Sequence, residues 1–121
     1  MASKVTVTIY HNPRCGKSRA ALAILTGHGF DPVVVEYLNN PPTKDELRAI
    51  LKKLSMKPEQ IVRKGEEVYK EKFAKKSISD DQWLDALAKN PILIERPIVV
   101  RGNRAVIGRP PENVLTLITL P

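Results

Sequence analysis

Val5-Thr6-Val7-Thr8-Ile9-Tyr10-His11-Asn12-Pro13-Arg14-Cys15-Gly16-Lys17-Ser18-Arg19 changes its period halfway along. Val5, Val7 and Ile9 alternate with Thr6, Thr8 and Tyr10, the pattern of a strand. From Gly16 the apolar positions become helical. Ala21, Ile24, Leu25 and His28 fall at i, i+3, i+4 and i+7, and Gly29 supplies a stop. Val33-Val34-Val35 follows as a short β-branched run, which predicts a strand covered on both faces. Residues 5 to 37 therefore read as a β-α-β unit with parallel strands and a right-handed crossover. The turn between its first strand and helix holds Cys15, the single cysteine of the chain.

Beyond this unit, Pro41-Pro42 breaks the chain. Thr43-Lys44-Asp45-Glu46 and Ser79-Asp80-Asp81-Gln82 are both capping boxes, each opening a helix. Leu47, Ile50, Leu51 and Leu54 make the buried stripe of the first. Trp83, Leu84, Leu87 and Ala88 make that of the second, with Ile78 placed to staple onto Trp83. Pro58 opens a short helix between them, with its end expected at Gly65, so that Arg63 falls near a helix end and a turn. Ile98-Val99-Val100-Arg101 and Arg104-Ala105-Val106-Ile107 flank Gly102-Asn103 and predict an antiparallel hairpin. Pro110-Pro111 then opens a last helix carrying Val114, Leu115 and Ile118. The order is β-α-β, helices, β-β-α. It predicts one α/β domain over 1–121, with a helical insert at about 38–95 between two sheet-forming halves.

Composition narrows the function. At 121 residues, one domain with one core is expected. No apolar run approaches the roughly 18 residues of a membrane span, and the N-terminus leads into strand-like alternation without a signal-peptide pattern. One cysteine cannot form an internal disulfide, so a reducing cytoplasm is the expected compartment. The net charge is +7, and many of its lysines (among them Lys52, Lys53, Lys57, Lys64, Lys70, Lys72, Lys75 and Lys76) fall in the central helices, where they read as solvated faces. Six aromatics and no zinc-finger, zipper or RNA-binding signature argue against nucleic acid. His11 and His28 lie on different elements and cannot make a zinc site with one thiol, so no metal or other bound cofactor is expected.

The strand-to-helix turn makes Cys15 more than a small buried hydrophobe. It meets free backbone N–H groups and the positive end of a helix dipole. Arg14, Lys17, Arg19 and His11 add cations or donors around it. Such settings lower a thiol from about 8.5 to roughly 3.5–7.5 and convert it to the nucleophilic thiolate. Gly16-Lys17-Ser18 has the ending of a P-loop, but His11 stands where that motif needs glycine. Cys15-Gly16-Lys17-Ser18 occupies a C-x-x-C frame with Ser18 in place of the second cysteine. An adduct on Cys15 must then be resolved by a thiol from outside the chain. Arg63, Arg96 and Arg109 each sit at a structural break, and their forks of donors suit tetrahedral oxyanions. Arg96 precedes Pro97, where a cis bond is an option.

His-Asn-Pro-x-Cys-x-x-Ser-Arg at 11–19, Arg63-Lys64, the stretch Asn90 to Val100 and Gly108-Arg109-Pro110 resemble, in order and spacing, the glutaredoxin-coupled arsenate reductases of the ArsC/Spx-like family. The form Arg-Cys-x-Lys-Ser-Arg is similar to one subgroup within it. The resemblance covers nearly the whole chain. It implies a thioredoxin-like fold with a four-stranded mixed sheet, flanking helices and a helical insert. It implies Cys15 as nucleophile; Arg63, Arg96 and Arg109 as oxyanion-binding groups; His11, Ser18, Gly16 and Lys17 around the substrate; and a cis bond before Pro97. It further implies arsenic detoxification with arsenate or a similar oxyanion as substrate, glutathione as co-substrate and glutaredoxin as partner. Two other readings stay open: a glutathione-linked thiol oxidoreductase acting on another substrate, and a partner-binding regulator of the Spx kind.

Overall fold

The computed structural model describes residues 6–118. The element order is β1 (Val7–His11), α1 (Gly16–Gly27), β2 (Val33–Glu36), α2 (Lys44–Leu54), α3 (Glu67–Lys72), α4 (Asp80–Lys89), β3 (Ile98–Arg101), β4 (Arg104–Ile107) and α5 (Leu115–Ile118). Short 3-10 turns at Pro58–Ile61, Pro91–Leu93 and Pro111–Val114 complete it. Val5, read as a strand residue, lies outside the described residues. Contacts divide the chain into two compact units: residues up to Tyr37 together with those from Arg96 onward, and Leu38–Glu95.

The first unit carries the sheet, ordered β2-β1-β3-β4. β1 runs parallel to β2 and antiparallel to β3, and β3 pairs antiparallel with β4. This is the mixed four-stranded sheet that the family resemblance implies, and it joins the predicted β-α-β unit to the predicted hairpin. Alternation in β1 turns Val7, Ile9 and His11 to the buried side. Val7 and Ile9 pack there with Ala21 and Leu25 of α1, Val99 of β3, and Val114 and Leu117 near the end of the chain. Fully burying a side chain of this size contributes about 1.5–3 kcal/mol. His11 continues the same face beyond the core, which brings its ring to α1. The hairpin turns at Gly102, whose φ of 61° is the left-handed conformation that glycine adopts without strain.

β2 differs from its sequence reading. Val33 is 50% exposed and Val34 43%, so the strand is not covered on both faces. It is the edge of the sheet and pairs with β1 on one side. A β-branched run suits extended backbone whether or not both faces are covered, so the run specifies a strand without specifying its burial. His28, placed on the apolar stripe of α1, is also exposed, and its Nδ1 lies 2.9 Å from the Ile24 carbonyl. In the last helical segment Val114 and Leu117 are buried, while Leu115 and Ile118 are half-buried.

The second unit is helical. Both capping boxes form: Thr43 Oγ1 accepts from the Glu46 amide at 3.1 Å while Glu46 returns a bond to the Thr43 amide, and Ser79 and Gln82 do the same. Each cap is worth about 1 kcal/mol. Leu47, Ile50 and Leu51 of α2 and Trp83, Leu84 and Leu87 of α4 are buried. Tyr69 and Phe73 set their rings against Trp83, with centroids 6.3 and 5.4 Å away. α3, which brings Tyr69, is too short and polar to stand out in the sequence. The 3-10 turn opened by Pro58 ends at Ile61, before the expected Gly65. Ile61 and Leu93 anchor an isolated bridge between Val62 and Ile94, with Arg63 N–H donating to the Leu93 carbonyl at 2.7 Å. Arg63 is thereby fixed at the end of that turn.

Candidate active site

α1 begins immediately after Cys15, which adopts an extended backbone (φ −95°, ψ 122°) as the helix N-cap. The loop before it is held by its own polar groups. Asn12 is buried; its Oδ1 accepts from the Arg14 amide at 3.0 Å and its carbonyl from the Cys15 amide at 2.9 Å. An Asn-Pro pair at a strand end is the signal for such a turn. Asn12 carries no role in the sequence reading, yet it sets the path into Cys15. Arg19 folds back so that Nη1 donates to the Pro13 carbonyl at 2.9 Å.

Ser18 is fully buried on the inner face of α1. Its Oγ accepts from the Asn12 amide at 3.0 Å and lies 2.6 Å from His11 Nδ1. Burial pushes the His11 imidazole below its ordinary value; Glu36 opposes this and Arg19 reinforces it. His11 therefore stays neutral at pH 7. Glu36 of β2 is the register partner of His11 across the parallel pair and carries no role in the sequence reading.

Two arginines reach the thiol from distant stretches. Arg109 Nη1 lies 3.9 Å from Cys15 Sγ and donates to the Arg96 carbonyl at 3.2 Å. Arg96 stands on the cis bond before Pro97, as the resemblance implies, and its guanidinium acts directly on the thiol. A second cis bond, Arg109-Pro110, was not singled out from the sequence, although the same X-Pro signal is present there. Partial burial pushes the Cys15 thiol up, but the Ser18 amide, the Arg96 guanidinium and the Lys17 amide together outweigh it and hold the thiol below its usual range. No formal capping hydrogen bond to the sulfur is made, so the two amides act as nearby dipoles.

Of the residues expected at the site, His11, Cys15, Gly16, Lys17, Ser18, Arg96, Pro97 and Arg109 all belong to the sheet unit. Gly16 and Lys17 are exposed beside Cys15. Arg63 belongs to the helical unit, where Nη1 donates to Glu95 at 2.8 Å and Nε to Glu66 at 3.3 Å. Among the described residues no group of three or more His, Cys, Asp or Glu side chains is arranged to hold a metal ion, and no helix is long and apolar enough to cross a membrane.

The arrangement sets a thiol that ionises more readily than usual beside a guanidinium pair. Such a sulfur attacks an electrophilic centre while the arginines hold its oxygens. Known proteins match this chain over most of its length. Residues 10–117 match the ArsC family. The uncharacterized protein YfgD of Escherichia coli K12 is 46% identical over 93% of this chain and 96% of its own. The arsenate reductase of Rhizobium meliloti is 44% identical over 94% of this chain and 82% of its own. The structure of an arsenate reductase from Vibrio cholerae superposes with a TM-score of 0.89 at 43% identity, covering 94% of this chain and 98% of that one, and shares its thioredoxin-like fold. With a family match spanning most of its length and relatives well above 30% identity, the chain belongs to the ArsC family.

Proposed function

We propose that this protein is an arsenate reductase in which Cys15 is the nucleophile and glutathione and glutaredoxin are the external reductants. The observation that carries this reading is the approach of Arg109 and Arg96 to a depressed thiol at a helix N-terminus. Arsenate is a tetrahedral oxyanion, and two guanidinium forks with adjacent helix amides suit its oxygens. The relatives named arsenate reductase support the same substrate.

The Sγ lone pair displaces an oxygen of arsenic(V), which leaves as water after protonation, and a thioarsenate forms. Glutathione supplies the second thiol. Arsenic(V) takes two electrons from the two sulfurs and departs as arsenite, leaving Cys15 in a mixed disulfide with glutathione. The chain holds no second cysteine to resolve it. Glutaredoxin therefore completes the exchange. A reducing, glutathione-rich cytoplasm is the compartment this cycle needs. Arg96 and Arg109 bind the substrate oxygens, and the neutral His11 with Ser18 fixes the loop behind the sulfur. Gly16 and Lys17 line its open side. Arg63, the third arginine that the resemblance implies for the oxyanion, lies in the helical unit and gives its fork to Glu66 and Glu95.

Turnover of arsenate with glutathione and glutaredoxin tests the reading, with Cys15→Ser as the comparison. Turnover in the wild type and background in the variant is expected; equal rates would end it. A second reading, reduction of a glutathione mixed disulfide, draws on Arg14 and Lys17, both exposed cations flanking Cys15. It predicts faster turnover of a glutathionylated peptide than of arsenate.

A further inference from the structure

Three separate stretches carry Cys15, Arg96 and Arg109, and Gly108 is packed where they meet. The glycine is buried, and its N–H donates to the Pro97 carbonyl at 2.8 Å. A Cβ built on it would lie 2.9 Å from Pro97 Cγ, 3.3 Å from Ala21 Cβ and 3.3 Å from Val114 Cγ1. Real Cβ atoms essentially never sit as close as the first of these distances, and the other two are tight. Pro97 follows Arg96 directly. Ala21 lies on α1, which Cys15 caps. Val114 ends the 3-10 turn that follows Arg109-Pro110. Ile98 and Ile107, the ladder pair beside the junction, tie β3 to β4, and Arg109 Nη1 donates to the Arg96 carbonyl across it.

We propose that Gly108 is the positioning residue of the active site: the absence of its side chain sets the separation of the helix bearing the thiol from the two segments bearing the arginines. Pro97 Cγ belongs to a ring and cannot swing aside as a long flexible side chain does. A methyl group at 108 must therefore displace Pro97, or Gly108 itself, and either movement shifts a guanidinium relative to the sulfur. Displacements well under an ångström are enough, because charge-assisted hydrogen bonds weaken steeply with length and angle. Overpacking of this kind destabilises a protein at any core position. The separate prediction here is a chemical one, a less activated Cys15.

This inference rests on the reading of Cys15 as an arginine-activated nucleophile, and its test needs no arsenate turnover. Cys15 alkylation by iodoacetamide is followed against pH in wild type, Gly108→Ala and Leu25→Ala. Leu25→Ala destabilises the same core at a residue that is not among the three nearest neighbours of a Cβ at 108. Gly108→Ala is expected to alkylate about fivefold more slowly at pH 7, with its pH midpoint raised and with protection by added arsenate weakened about tenfold. Leu25→Ala is expected to keep the wild-type profile. If Gly108→Ala does not fold, Val114→Ala loosens the same junction without adding an atom and should slow alkylation about twofold relative to Leu25→Ala. Identical profiles for the folded junction variant and Leu25→Ala overturn the role of Gly108. A wild-type thiol that alkylates like an ordinary cysteine overturns instead the reading on which the inference stands.

Discussion

Arg63 and Arg109 are the same side chain at similar breaks in the chain, and they have met different neighbours. Arg63, in the helical unit, gives its fork to Glu95 and Glu66. Those carboxylates raise its affinity for its proton against the opposing effect of burial. Arg109, in the sheet unit, points at a sulfur and a backbone carbonyl, and Arg96 acts on the same sulfur. The difference teaches that an arginine's position at a loop end is not enough to make it an anion site. Which groups the fork faces, two carboxylates for Arg63 and a thiol with a carbonyl for Arg109, comes from pairings distant in sequence.

The most damaging change is to the sulfur itself. Cys15→Ser should reduce arsenate turnover to background, since a hydroxyl is far less ionised than this thiol. Next comes Arg96→Ala, expected to lower kcat/KM by about 2–4 kcal/mol, roughly 30- to 1,000-fold, as for loss of a donor aimed at developing charge. Arg109→Ala should fall in the same range. Arg63→Ala should cost less than about tenfold in kcat/KM, because the Arg63 guanidinium is already paired with two carboxylates. Its thermal stability should drop by about 1 kcal/mol as Glu66 and Glu95 lose their partner, a small figure because the pair is partly solvated. A kcat/KM loss for Arg63→Ala as large as that for Arg96→Ala would erase the contrast between the two regions.

The smallest expected effect is on acid stability. The His11 imidazole titrates below its ordinary value in the folded state, so protons bind more tightly to the unfolded chain. The stability this confers is present above about pH 6.5 and is lost as pH falls from there through the folded value. The thiol behaves likewise at higher pH: its depressed titration stabilises the fold above the ordinary thiol range and that contribution declines as pH falls. Replacing His11 with Asn should flatten the pH dependence of the unfolding midpoint between about pH 6.5 and 5. A slope unchanged by the replacement would remove His11 as its source.

Local chemistry made much of the molecule legible. Period-2 alternation fixed β1, the two capping boxes fixed α2 and α4, and Gly102-Asn103 fixed the hairpin. Each of these depends on residues within a few positions of one another. What resisted was set by long-range pairing. Val33-Val34-Val35 looks the same in a central strand and at an edge, and only the pairing partners of β2 distinguish them. The acidic partners of Arg63 are similar: Glu95 lies far along the chain and ordinary acidic residues carry no mark. α3 escaped because six residues, four of them charged, give no periodic stripe; its place comes from Tyr69 and Phe73 meeting Trp83. The site divides along the same line. Cys15 at a helix start was legible from adjacent residues, whereas Arg96 and Arg109 were notable for their position at breaks and through family resemblance. Gly108 was part of a quoted motif without a visible role, since its crowding involves atoms from three segments.

The central claim is that guanidinium groups from the end of the chain hold Cys15 as a thiolate. Thiolate absorbance followed against pH, with Cys15→Ser as the blank, measures this directly in the wild type and in the Arg96→Ala/Arg109→Ala double variant. The account predicts a wild-type midpoint below that of a free cysteine and a return toward it in the double variant. A wild-type midpoint at the free-cysteine value, or one that the double variant leaves in place, would contradict it.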